Sequence, residues 1–338
     1  MLSRLRTPLP TGITGGLSTA PRHTTSINPV SNPALPTLSS TRVWGSALLA
    51  ISLFALTVPM TSTALEGWST LSIGSGRGVI GGAIAILAIQ FSGWKWPDRH
   101  SLLWLALATP GLVFGFPYLL TYALQDASSA DLGVVLAALP LLTAIFSAIL
   151  SRQNLPRRFW GWAIAGMLVS CGYFLLQSDW ALRGQSQSTQ LVMLVALLSA
   201  SWGYAAGAKA ARTLGGWQTV CWMQALSAPL SAILFGYSLG QPEYTLGLPQ
   251  ADALLALLYL GIFSQLIGFR FWFQALAVDT ARVSQIQLLQ PLITLTALVL
   301  FWNASIGLCQ WLAALAILLC VVGAVRIKHA DTDAPQHG

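Results

Sequence analysis

Hydrophobic and polar positions alternate along this chain on the scale of whole helices. Apolar runs of roughly 18–25 residues are separated by short polar connectors. They fall at 43–63, 72–91, 102–122, 131–150, 159–177, 190–209, 216–236, 253–273, 282–301 and 306–325. Each run is long enough to cross about 30 Å of hydrocarbon as a helix. The pattern therefore predicts an all-α polytopic membrane protein with ten transmembrane helices. The flanks are different. Residues 1–42 are rich in Ser, Thr and Pro, contain no Asp or Glu, and carry a few arginines. They lack the apolar core of a secretory signal. They read as a disordered cytoplasmic tail, with an over-extended start or a transit peptide as the alternatives. Residues 178–189 read as an outer linker and 326–338 as a short cytoplasmic tail.

The two sides of that linker resemble each other. Ala123-Leu124 corresponds to Ala275-Leu276, Pro140 to Pro291 and Thr143 to Thr294, with one residue of slippage. Upstream, GWST at 67–70 mirrors GWQT at 216–219. This defines a first five-helix repeat over 43–177 and a second over 190–325. Five is odd, so the second copy must enter the membrane upside down, the usual construction of secondary transporters.

Composition excludes a soluble protein. Of 338 residues, 55% are hydrophobic and 8% charged, with a mean hydropathy of +0.67, whereas soluble domains are about a quarter charged. The net charge of +7 is an orientation signal, not a nucleic-acid footprint. With ten spans and an inside N-terminus, the Lys and Arg residues gather on one side, including Arg42, Lys95, Arg99, Arg152, Arg157, Arg158, Lys209, Arg212, Arg282 and Arg326. Arg183 alone lies in an outer loop. The positive-inside rule then places both termini in the cytoplasm, in a bacterial inner membrane, with a plastid membrane as the alternative. The four cysteines fall within apolar runs without a CxxC pair and read as small hydrophobes. No metal or other cofactor is expected.

Candidate chemistry is sparse. Pro140 and Pro291 each lie about nine residues into a span, roughly 13 Å along a helix and so near the bilayer midplane. Each removes a backbone donor and reads as a packing kink or as a hinge beside a central cavity. A stripe of polar residues accompanies them: Ser284, Gln287, Gln290 and Thr294 on one helix, Thr143 and Ser147 on the other. Buried amides at membrane depth are either glue between helices or contacts to a substrate. Arg77, a turn or two from the outer end of the second span, either snorkels outward or offers a fixed cation to an anionic group such as a carboxylate. Tyr122, Trp202 and Tyr204 lie in or beside helices expected to line the centre, as does Trp272. Gly76-x-Gly78-x-x-Gly81 imitates a dinucleotide fingerprint but lacks the strand that motif requires. Gly74, Gly78 and Gly82 are instead spaced by four, a smooth face for close helix packing. Ser128 and Asp131 have the spacing of a helix capping box. Membrane-embedded catalysis is disfavoured because His23, His100, His329 and His337 all lie in tails or an inner loop, and no phosphate-binding GxxxxGK[ST] loop exists.

Taken in order, Ala123-Leu124 followed by LGVVLAALPLLTAIFSAIL, Ala275-Leu276 followed by VSQIQLLQPLITLTALVLFW, GRGVIGGAIAIL with Arg77, and QWLAALAILLCVVGAV at 310–325 resemble the EamA-type group of the drug/metabolite transporter superfamily. The resemblance covers about residues 43–325. It implies a secondary transporter that exports a small organic metabolite, an amino acid or related compound, by alternating access. A small-molecule substrate and the lipid bilayer are the partners, and a homodimer stays open. The alternatives are a nucleotide-sugar or sugar-phosphate exchanger of the same superfamily, or a non-transporting membrane partner protein. The chain departs from the group's pattern where members commonly carry Gly-Glu after the fourth and ninth spans. Here those places read Arg152-Gln153-Asn154 and Asn303-Ala304.

Overall fold

The computed structural model describes residues 40–126, 132, 135–177, 187–241, 250–293, 296 and 308–327, and all regular structure among them is helical. Five helices are long and apolar enough to cross a membrane: Thr41–Leu65, Thr70–Ser92, Arg99–Ala123, Gln187–Leu239 and Ala251–Leu276. Leu139–Ser151 and Trp311–Arg326 are shorter apolar helices. Side chains such as Phe91, Ile149, Ile233, Leu255 and Leu319 point outward. So broad an exposed apolar surface suits lipid, where it carries no hydration cost. The protein is a multi-pass membrane protein.

In chain order, α1 (Ser40–Ala55) runs into α2 (Thr57–Leu65), and α3 (Thr70–Ser92) follows. α4 (Arg99–Thr109) passes through a π-helical stretch, Pro110–Gly115, into α5 (Phe116–Ala123). α6 (Leu139–Ser151), α7 (Arg157–Gln177) and the 53-residue α8 (Gln187–Leu239) come next. Gly215, at φ 76° and ψ 161°, breaks α8 into two rods over 187–214 and 216–239, a conformation open to glycine at no steric cost. α9 (Ala251–Tyr259) passes through a second π-helical stretch, Leu260–Gly268, into α10 (Phe269–Leu276). α11 (Thr280–Ser284) tightens into a 3-10 stretch, Gln285–Leu289, and α12 (Leu308–Arg326) closes the bundle.

Polar side chains set the helix starts. The Ser72 N–H donates to Ser69 Oγ at 3.2 Å, His100 N–H to Asp98 Oδ2 at 3.2 Å and Arg282 N–H to Asp279 Oδ1 at 3.1 Å. Each satisfies one donor that a helix N-terminus leaves free. The hydrogen bond with the Ser101 side chain also holds the Asp98 carboxyl below the usual carboxylate range. The capping box expected at Ser128 and Asp131 lies outside the described residues.

Glycines bring the helices close. A Cβ at Gly82 would stand 2.7 Å from Ala228 Cβ, and one at Gly74 would stand 2.7 Å from the Tyr118 ring. One at Gly78 would collide with Ser231. The four-residue spacing is thus a packing face, and it seats α3 against α5 and the second rod of α8. Gly203 and Gly207 do the same on the first rod, against Leu112 and Phe273. Helix pairs otherwise form between the chain's halves: α1 with α10, α4 with the first rod of α8, α6 with α11, and α7 with α12.

Two expectations change. Pro140 does not kink a continuous helix. It sits in the first turn of α6, after a turn at Ala137-Ala138, where its missing N–H costs nothing. Likewise the stripe leading to Pro291 is not α-helical throughout but 3-10 over Gln285–Leu289. Cys221 and Cys320 are buried and Cys171 is half-buried, in keeping with small hydrophobes.

Arg152 ends α6 with φ 50° and is the single positive-φ residue other than glycine among those described. Since the left-handed region costs an ordinary residue about 1–2 kcal/mol, Arg152→Gly should stabilise the detergent-solubilised protein by about 1 kcal/mol. Gly82→Leu, which drives a side chain into Ala228 and the Gln224 carbonyl, should destabilise it by about 1–3 kcal/mol or more. Thermal unfolding of both variants beside the parent checks the pair.

Candidate functional site

Arg77 lies two turns into α3 and is almost completely buried. The glycines around it explain the depth: with Gly74, Gly76, Gly78, Gly81 and Gly82 on the same helix, neighbouring helices approach until the guanidinium has no route to solvent. Its Nη2 donates to Gln265 Oε1 at 3.0 Å and to Ser264 Oγ at 3.3 Å. Nε and Nη1 have no partner among the described residues. The snorkelling alternative for Arg77 therefore fails: the side chain turns inward.

Ser264 and Gln265 both belong to the second π-helical stretch, and both are buried. Ser264 also shares a 2.9 Å hydrogen bond with Thr57 at the start of α2. Gln265 is the hub. Beyond accepting from Arg77, its Nε2 donates to the Leu112 carbonyl of the first π-helical stretch at 3.4 Å. Its own carbonyl accepts from Gln224 Nε2 on α8 at 3.2 Å. Wide π turns shift backbone carbonyls out of the regular helical ladder and recur at functional sites. Here one such turn meets the other through a glutamine. Gln224 Oε1 is buried, has no partner among the described residues and lies against Gly81, one turn along α3 from Arg77.

Aromatic rings wall the other side. Tyr204, fully buried on the first rod of α8, stands edge-on to Phe269 and Trp272 at centroid distances of 6.0 and 5.7 Å. Phe54 closes onto the same two rings at 5.3 and 6.1 Å. Tyr204 faces both the Gln287 amide and the charge of Arg77. Gln287 is buried, and its Oε1 has no hydrogen-bond partner among the described residues. Gln290 Nε2 donates to the Phe54 carbonyl at 3.2 Å, tying the half-buried Pro291 region to α1. On the far flank, the Pro140 carbonyl accepts from Ser284 Oγ at 3.2 Å and Gln285 Nε2 at 3.1 Å, which fastens α6 to α11.

Of the sequence-predicted residues, Arg77, Tyr204, Gln287 and Gln290 come together with Trp272 around this layer. Trp202 does not. Two residues before Tyr204, it points about 200° away round the helix, giving its Nε1 hydrogen to the Leu107 carbonyl at 3.1 Å and its ring edge to Phe146. Tyr122 is 48% exposed, while its neighbours Thr121 and Ala123 are buried. Thr294 lies outside the described residues. Sequence reading missed Gln224, Ser264, Gln265 and Gln285. Gln287 stands out through a polar stripe at helical spacing; Gln224 and Gln265 carry a different signal, a lone amide inside an apolar run.

The acidic residues described, Glu66, Asp98, Asp126, Asp252 and Asp279, all sit at helix ends or turns. None reaches Arg77, which is the single cation among the buried residues described. The layer offers hydrogen-bond donors and acceptors, one positive charge and aromatic faces.

These features define a helical membrane protein with an amide-rich centre around one buried cation, and the comparisons with known proteins name the class. The model of the EamA-like transporter family matches residues 43–177 and again 187–326; the chain belongs to that family. It is 32% identical over 288 residues to the uncharacterized transporter YdeK of Bacillus subtilis (strain 168), covering 85% of this chain and 98% of that protein. The uncharacterized transporter YcxC of the same organism is 24% identical over 307 residues, covering 86% and 95%. A solved crystal structure at 21% identity shares the fold, with a TM-score of 0.66 over 84% of this chain and 99% of the other.

Replacing Gln265 by Ala removes the acceptor from Arg77 and the bridge to Leu112. Leaving a charged donor so exposed to burial costs about 1–3 kcal/mol or more, so Gln265→Ala should unfold at a lower temperature than the parent in the same detergent. An unchanged melting temperature would show that the hub contributes no stability.

Proposed function

We propose that the protein is a secondary transporter that exports a small organic metabolite, an amino acid or related compound, by alternating access. In this reading ten spans form two inverted five-helix repeats in a bacterial inner membrane, with both termini in the cytoplasm. The observation that carries it is the burial of one cation, Arg77, together with the amides of Gln224, Gln265 and Gln287 inside the helix bundle. Polar groups placed there cost stability, and a solute path gives them a use. Helix pairing supports the repeat. Exchanging the two halves turns the contact of α1 with α10 into that of the first rod of α8 with α5. The pairs α3 with the second rod of α8, α6 with α11, and α7 with α12 map onto themselves.

Substrate contacts are assigned to Arg77, Tyr204, Gln287 and Gln290. Motion is assigned to the regions of Pro140, in the first turn of α6, and of Pro291, just past the 3-10 stretch, where hydrogen bonds from Ser284 and Gln285 to the Pro140 carbonyl would break and reform. Membership of a transporter family supports the class of activity.

Solute counterflow into proteoliposomes, screened over metabolites found enriched outside cells that make the protein, is the decisive assay. Gln290→Ala should cut the counterflow rate about tenfold, the loss of one contact of about 1.4 kcal/mol. Reporter tags before Trp44 and after Val325 should label from the cytoplasmic side alone. Tags on opposite faces of the membrane would remove the inverted-repeat reading.

A further inference from the structure

Arg270 is an exposed arginine inside an apolar span, Ala251–Leu276. It precedes the end of α10 at Leu276 by roughly 9 Å of helix, so its stem runs along apolar surface and its head reaches the membrane boundary. The outward face it occupies changes character there. Phe263, 43% exposed, lies before it, and the partly exposed Gln274 follows. The guanidinium stands over the Trp217 ring at 5.1 Å and the Phe271 ring at 5.4 Å. Ring faces balance part of the charge but accept none of the planar N–H donors. No carboxylate pairs with Arg270 among the described residues; the ion pair at this end joins Arg282 to Asp279 at 3.3 Å.

Gly216 shapes the place. A Cβ there would stand 2.5 Å from the Arg270 carbonyl and 2.6 Å from the Gln274 nitrogen, so the second rod of α8 crosses α10 backbone to backbone beside Trp217. Further cations surround the crossing. Arg212, one turn before Gly216, gives its Nε hydrogen to the Ala277 carbonyl at 3.3 Å. Lys209, on the same rod, stands over the Trp104 ring at 5.8 Å. Arg212, Arg270, Arg282 and Lys209 outnumber Asp279, and Asp98 at this end caps α4 beside Arg99.

We infer that the notch between α10 and the second rod of α8 binds the headgroup of an anionic phospholipid. Arg270 holds the phosphodiester, whose oxygens match the guanidinium fork. Trp217 backs the guanidinium at the depth where boundary aromatics sit. Arg212 and Lys209 supply the field that selects net negative charge, because a zwitterionic lipid brings a cation of its own into it. The occupant comes from the bilayer, since Arg270 lies on an outward face within a span. In the orientation proposed above this end meets the cytoplasmic leaflet, which carries the anionic lipid. The inference concerns a surface outside the transport path and stands independently of any solute.

The test titrates the purified full-length protein in mixed micelles with phosphatidylglycerol, phosphatidylethanolamine and phosphatidylcholine of identical acyl chains. Inorganic phosphate is the free-anion arm. Melting temperature and native mass spectrometry of retained lipid are the readouts. Phosphatidylglycerol should be retained and should raise the melting temperature, with the other lipids and inorganic phosphate ineffective. Arg270→Gln should weaken that response about tenfold, equal to about 1.4 kcal/mol. Arg270→Lys keeps the charge but loses the fork and should weaken it less. Arg158→Gln, at an exposed position on α7 away from the crossing, should respond like the parent. No response to phosphatidylglycerol overturns the inference, as do equal responses to all three lipids or an Arg270→Gln protein that binds like the parent. Equal protection by inorganic phosphate assigns a free anion and removes the lipid. A loss in Arg158→Gln as large as in Arg270→Gln leaves only diffuse charge and removes the site.

Discussion

A guanidinium sealed inside an apolar bundle is the constraint to which the rest of this structure answers. Bringing Arg77 out of contact with solvent requires helices closer than side chains normally permit, and the glycines of α3 provide that approach against Tyr118, Ser231 and Ala228. Holding it there requires acceptors, and they come from a single place, Ser264 and Gln265 on the second π-helical stretch. The π geometry and the buried charge belong together. A regular helix through Leu260–Gly268 would present a different set of side chains to α3, because each wide turn rotates everything after it by a fraction of a turn. The burial of Arg77 therefore rests on an irregularity in the backbone as much as on a residue type.

The second irregular stretch, Pro110–Gly115, has an evident local cause. Pro110 deprives the preceding turn of a donor, and the carbonyls around it find side-chain partners from other helices. Trp202 donates to the Leu107 carbonyl and Gln265 to that of Leu112. Leu260–Gly268 has no proline, so its widening follows from packing alone. Gly261 and Gly268 admit Ile80 and Phe54 to within 2.8 and 2.7 Å of where a Cβ would stand. The two stretches occupy corresponding places in the matching halves of the chain. They meet through one glutamine rather than through an ion pair.

Much of this was legible in the sequence. Run lengths gave the membrane class, and the spacing of Gly74, Gly78 and Gly82 gave a packing face that the structure contains. Arg77 stood out as a cation within a span. The failures have physical reasons. Tyr204 and Trp202 are two residues apart in one apolar run, and only the phase of the helix, set by Gly203 and Gly207 against Leu112 and Phe273, decides which ring turns inward. Pro140 looked like a kink because the run around it is continuously apolar. Hydrophobicity cannot report that regular helix begins at Leu139. The π-helical stretches were invisible because hydrophobic periodicity over so few residues is indistinguishable from that of an α-helix. Gln265 was within reach, being a lone amide among apolar neighbours, but nothing in its local sequence says that it stands beside Arg77, 188 positions away in the chain.

Neutral glue has a mechanical consequence. A buried ion pair broken by moving one partner costs about 3–5 kcal/mol, enough to pin a helix in one place. Hydrogen bonds between neutral groups contribute about 0.5–1.5 kcal/mol each. Contacts of the second kind join the halves at Gln265 with Leu112, Ser284 and Gln285 with Pro140, and Gln290 with Phe54, beside the charged bonds from Arg77 to Ser264 and Gln265. Each neutral bond can be exchanged for another of equal worth at little cost. An internal carboxylate opposite Arg77 would be of the first kind, filling the charge and locking α3 to the Leu260–Gly268 stretch; among the described residues no acid stands there, and neutral groups hold the two elements together.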